Sequence, residues 1–77
     1  MYDEEPIIHF WQPESISEGD LVWLYEGESL IGPLIVAGQR TAGHGSNEKR
    51  IYKMLDTLTG SWHSSEIYWI RVPQEIR

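Results

Sequence analysis

Cysteine is absent from the 77 residues. This excludes a disulfide framework, a thiolate metal site and a cysteine nucleophile, and it leaves the redox compartment unread. Lysine and arginine are absent ahead of Arg40. A secretory signal needs a basic start followed by an apolar run, so with acidic residues at 1–6 none is expected, and no apolar run approaches the roughly 18 residues of a membrane span. The expectation is a soluble, intracellular chain, and the start at Met1 without a tag reads as a complete short open reading frame. No sustained 3.6-residue apolar period, internal repeat or low-complexity tract is visible. Length is short too. One small domain with a thin core fits in such a chain, and a deep catalytic cleft is hard to build in it.

What is present is apolar enough to fold, with 40% hydrophobic and 12% aromatic residues. The formal charge is −6, and it is unevenly placed. Asp3, Glu4, Glu5, Glu14, Glu18, Asp20, Glu26 and Glu28 precede every base, whereas Arg40, Lys49, Arg50, Lys53, Arg71 and Arg77 share the rest of the chain with Glu48, Asp56, Glu66 and Glu75. An acidic front half thus meets a mildly basic back half. Such asymmetry marks either a solvated, solubilising tail or a surface that steers a charged partner.

Along the chain, Pro6 and Pro13 bracket the apolar residues 7–11, which reads as an extended arm or edge strand. Residues 15–20 form a turn, with Gly19 ahead of a strand at 21–26 rich in branched and aromatic residues. A second strand is predicted at 30–37, where Gly32 and Pro33 imply a bulge near its start. The glycine-rich residues 38–48 read as a long flexible loop. A third strand is predicted at 51–57, with Tyr52, Met54 and Asp56 on one face. Residues 58–61 turn the chain, a fourth strand begins at 62–64, 65–67 make one tight helical turn, and a fifth strand at 68–72 is stopped by Pro73. Five short strands in about 55 residues point to a small closed barrel, since closure removes exposed sheet edges.

Gly19, Asp20, Leu21, Val22 and Trp23, then Gly32, Pro33 and Val36, then Tyr52 to Asp56, Thr59, Gly60, His63, Ser64 and Ile70 occur in an order that resembles the SH3-like barrel at the C-terminus of retroelement integrases. Tudor-like and bacteriophage domains share this grammar. The resemblance covers residues 19–72 and implies an all-β, five-stranded SH3-like barrel over 19–73, behind an acidic arm at 1–18 and ahead of a tail at 74–77. It also implies a viral or mobile-element setting. In the integrase family the barrel binds DNA, and the bases matching that role are Arg40, Lys49, Arg50, Lys53 and Arg71. The net negative charge opposes phosphate binding. Independently of the resemblance, the GD pair turns the chain into the sheet, and the Asp56 and Thr59 side chains are placed to bond local backbone groups.

No catalytic constellation emerges. His9, His44 and His63 have no partner at a metal-ligand spacing, so neither a metal nor a cofactor is expected. Ser, His and Glu lie together in 62–66, but neighbours on a strand point to opposite faces. Gly38 to Gly43 has the glycine spacing of a phosphate loop but lacks its Lys and its following helix. The aromatics Trp23, Tyr25, Tyr52, Trp62, Tyr68 and Trp69 are more numerous than a small barrel interior holds. They serve core and arm packing, a protein contact surface, or a methyl-lysine cage or base-stacking platform. Both faces of 21–25 are apolar, so a second layer is needed, supplied by the arm or by a second copy. The expectation is a non-enzymatic protein-interaction or self-association module, with nucleic-acid binding through the basic residues as the alternative.

Overall fold

Apolar residues at alternate positions put one set of side chains on one face of a strand. Val22 and Leu24, Leu34 and Val36, Tyr52 and Met54, and Ile70 follow that rule, and all are 5% exposed or less. They form the core, with Ile16, Ile31, Ile67 and Val72 packed against it. The computed structural model describes residues 7–76. The arm's acidic start (Asp3, Glu4, Glu5, with Pro6) and Arg77 lie outside the described residues.

Six strands, β1 (Ile7–Trp11), β2 (Leu21–Glu26), β3 (Ser29–Ala42), β4 (Lys49–Leu55), β5 (Trp62–Ser65) and β6 (Ile70–Ile76), form one antiparallel sheet in the order β1-β6-β2-β3-β4-β5. No ladder among the described residues joins the two edges. The chain is all-β as expected, yet it has six strands rather than five, and its ladder is open where closure was predicted.

The arm supplies the sixth strand. β6 pairs with β2 only at Ile70 and Arg71, then continues alongside β1 from Val72 to Ile76. Two sequence expectations change accordingly. Pro73 lies inside β6 instead of ending it, and residues 74–76 are strand rather than tail. Beyond Arg71 the strand is paired with β1 alone, so alternate nitrogens face solvent, and a proline is tolerated there.

β3 is the organiser of the sheet. Its first half pairs with β2 and its second half with β4, with Ile35 in both ladders. Trp23 stands opposite Gly32 and Pro33 where the register shifts, so the predicted bulge is present. Gly32 has φ +152, and a Cβ there would lie 2.7 Å from the Trp23 ring, so only glycine lets the indole lie down on β3. A second shift leaves Ala37 unpaired between Val36 and Gly38.

The long loop expected over 38–48 is shorter than predicted. Gly38, Gln39, Arg40, Thr41 and Ala42 pair with Lys53, Tyr52, Ile51, Arg50 and Lys49, so strand extends to Ala42. Cross-strand hydrogen bonds override the low strand preference of glycine and polar residues. Only 43–48 remain as connector, with one 3₁₀ turn at Gly45–Asn47. The other helical turn lies at Ile67–Trp69, two residues later than predicted.

The local turns follow the sequence closely. At the entrance to β2, Gly19 (φ +94) donates its N–H to the Val36 carbonyl at 2.7 Å, and Asp20 Oδ2 accepts from the Ser17 N–H at 2.8 Å. After β4, Asp56 Oδ1 accepts from the Leu58 and Thr59 N–H groups at 3.0 and 3.3 Å, and Gly60 takes φ +76. The carboxylate bonds tie each turn to its own residues, as the side chains of an Asx turn do, and the Gly19 bond ties the first turn to β3.

Candidate interaction surface

Residues directly opposite in adjacent strands share a face of the sheet. Leu21 pairs with Ile35, Ile35 with Leu55, and Leu55 with Trp62. The pairs join end to end into one apolar row across β2, β3, β4 and β5, on the face opposite the core. Its ends are open to solvent, Leu21 at 56% and Trp62 at 53% exposure, while Ile35 and Leu55 are half-buried. A sheet whose two faces are both apolar has more hydrophobic surface than its own core covers.

Beside this row lies an aromatic cluster. Phe10 of β1 meets the Trp23 ring edge-on at 5.2 Å, so the arm packs on its own chain. Arg71, opposite Trp23 in β6, lays its guanidinium 4.9 Å above the Tyr25 ring. Its Nη1 donates to the Tyr68 and Ile70 carbonyls at 2.6 and 3.0 Å. Tyr68 and Trp69 stack at 4.8 Å on the 3₁₀ turn, each nearly half exposed.

The six aromatics singled out from the sequence are therefore not one patch. Tyr52 belongs to the core and is removed from the surface set. Trp23 and Tyr25 sit half-buried on the outer face of β2, Tyr68 and Trp69 are linked to them through Arg71, and Trp62 stands at the far end of the row. Sequence reasoning did not join Leu21, Ile35 and Leu55 into one surface row. Alternation placed Leu21 outward, but only the register brings Ile35 and Leu55 beside it.

The expected basic patch also divides. Lys49, Ile51 and Lys53 alternate onto the outer face, and the extra residue Ala37 shifts the phase of β3 so that Arg40, opposite Ile51, joins them. Arg50 points to the other face for the same reason of period two, and Arg71 is held at Tyr25. Three bases of the five remain together. Lys53 Nζ lies 4.4 Å from the Trp62 ring centroid, within cation–π range, and Lys49 Nζ is 3.4 Å from Glu66 Oε1.

A cleft of about 410 Å³ opens between the end of β2 and β5, lined by Tyr25, Glu26, His63, Ser64, Ser65 and Trp69 among others. His63 Nδ1 and Glu26 Oε2 are 3.8 Å apart across it. The Ser65 hydroxyl donates to the Glu66 carbonyl at 3.0 Å, and no hydrogen bond among the described residues links a serine to His63. A nucleophile needs its base within hydrogen-bond reach, so the cleft holds no assembled nucleophile pair. Among the described residues no cluster of His, Asp and Glu is arranged to hold a metal, and no helix is long and apolar enough to cross a membrane.

Compared with models of known families, with curated proteins and with solved structures, the chain finds no match.

Proposed function

We propose that this chain is a non-enzymatic interaction module of the SH3-like kind, docking protein on its outer sheet face. The observation that carries the reading is the apolar row Leu21–Ile35–Leu55–Trp62, half exposed at both ends and backed by a core that does not use it. Large apolar and aromatic side chains left in contiguous exposure mark contact surfaces, and Tyr and Trp are favoured anchors in them. The SH3-like part of the reading is supported by the order β6-β2-β3-β4-β5, by a bent strand shared between two ladders, and by the 3₁₀ turn leading into the last strand. Affinity capture from a native extract tests it. Trp62→Ser and Leu21→Ser should each remove the captured partner, and capture unchanged in both would end the reading.

A second reading has one specific observation behind it. Arg40, Lys49 and Lys53 share a face with Trp62, the combination of charge and stacking surface that single-stranded nucleic acid uses. Titration with DNA or RNA at low salt decides it, because phosphate binding weakens steeply as salt rises and absence of retention at low salt removes it.

A further inference from the structure

We infer that the free edge of β1 pairs with β1 of a second copy, antiparallel about a two-fold axis at His9, to make a continuous ribbon in the order β6-β1-β1-β6. The contact uses the backbone edge of the arm and is separate from the outer sheet face.

The two-stranded part of the ribbon lacks cover. From Val72 onward β6 is paired with β1 alone, and β1 is paired with β6 alone. Two strands without a third are marginally stable at best in water. Residues 7–11 also carry none of the usual protections of an edge, because no Lys, Pro or Gly falls among them and their register with β6 runs without a bulge. Phe10 and Trp11 are exposed. The other edge of the sheet differs: β5 has four residues, and Glu26 stands 3.8 Å from His63 beside it.

The ladder shows which edge of the ribbon can take a strand. Pro73 has no N–H and stands opposite Phe10, so this is a non-hydrogen-bonded pair. Bonded and non-bonded pairs alternate along an antiparallel ladder, which makes Ile8 and Glu75 the other non-bonded pair. The backbone groups of Ile8 and Phe10 therefore point away from β6. On the far edge of β6 the outward positions are Pro73 and Glu75, and the proline leaves that edge short of a donor. The ribbon is open at β1 and blocked at β6.

That asymmetry selects the partner and the register. A head-to-tail array of ribbons would seat β1 of one copy on β6 of the next, where Pro73 stands, whereas a two-fold pairing of β1 with β1 uses the open edge twice and closes. Outward groups must meet outward groups, so Ile8 and Phe10 of one copy face Ile8 and Phe10 of the other. Centring the pair on Ile8 overlaps residues 7–9 and centring it on Phe10 overlaps 9–11, but centring it on His9 overlaps the whole strand 7–11. Ile8 then bonds Phe10 in both directions, and no outward group of the strand is left without a partner. His9 meets His9 as a non-bonded pair, with Cβ atoms about 4.5–5.5 Å apart. A strand of another protein would meet the same backbone groups but would have no reason to centre on His9.

Sedimentation equilibrium of the full chain from low micromolar to millimolar concentration tests the inference, with far-UV circular dichroism as the check on folding. The wild type should dimerise. Ile8→Pro should weaken association by about tenfold or more, since it removes an outward donor from each copy and no bond to β6. His9→Lys and His9→Glu should each weaken it by about threefold or more, because like charges then stand opposite, while the two variants mixed should form a heterodimer at least as tight as the wild-type dimer. His9 is exposed and faces Gln74 across the ladder to β6, so both replacements leave the fold in place. Trp62→Ser, on the outer row, should leave the dimer intact. A wild type that is monomeric throughout overturns the inference, as does a dimer indifferent to Ile8→Pro, or a mixture of the Lys and Glu variants that associates no better than either alone. A dimer lost in Trp62→Ser and kept in Ile8→Pro would move the contact to the outer face and overturn it equally. Docking on the outer row is read by capture, which the His9 variants leave unchanged, so the two proposals fail separately.

Discussion

Val22 and Leu21 are neighbours on one strand, as are Leu34 and Ile35 on the next and Met54 and Leu55 on the third. In each pair one side chain is fully buried in the core, and the other lies on the outer row. Composition does not separate them, because both sets are aliphatic. The separation comes from the two-residue period of the strand, which gives adjacent residues opposite faces. The inner set meets itself across the curved sheet and is sealed. The outer set lies along its own row, with Phe10 and Trp23 beside it and Lys53 over Trp62. The same residue types therefore hold the fold on one face and lie open or half-buried on the other.

The sharpest way to break that comparison is to truncate matched positions. Leu34→Ala should destabilise by about 2–5 kcal/mol, read from the urea midpoint at constant m-value, because it leaves a cavity in a thin core. In a domain this small such a loss is comparable to the whole stability, and a folded variant with a small shift would show that the inner set is not the core. Gly32→Ala should cost about 1–3 kcal/mol by the same measurement, since the added Cβ meets the Trp23 ring and the backbone takes a conformation that disfavours L side chains. A neutral result would mean that Trp23 does not lie on β3. Smallest of all, Leu21→Ser should change monomer stability by no more than about 0.5 kcal/mol. If it costs as much as Leu34→Ala, the two faces are energetically alike and the outer row is structural.

How much of this was legible in the sequence depends on the reach of the interaction concerned. The strand 21–26 and the turns at Asp20 and Asp56 were readable because their determinants are local: branched residues, a glycine of positive φ, and a carboxylate bonding amides two or three residues away. The continuation of β3 through Gly38, Gln39, Arg40 and Thr41 was not. Those residues resemble a loop and are held by partners in β4 nine to fifteen positions away. Pro73 inside a strand depends on the arm lying alongside β6, which is again a contact between distant parts of the chain. The candidate site followed the same rule. That some of the six aromatics must lie outside a small core was readable from their number alone, but the row that connects Trp62 to Leu21 needs the registers of three ladders. The division of the bases was half legible: Lys49 and Arg50, being adjacent, had to part, whereas the arrival of Arg40 depends on the unpaired Ala37.

The pairing of Ile7 with Ile76 places the first and last described residues side by side at the end of a two-stranded ribbon. Tension applied between those ends loads the β1–β6 ladder one bond at a time, like a zip, because antiparallel bonds lie perpendicular to the strands. The ladder from Ile7 to Trp11 would open before any load reached the ladder that seats Ile70 in the core. Mechanically, the arm is a fuse: the ribbon yields in sequence while the sheet behind it keeps its shape.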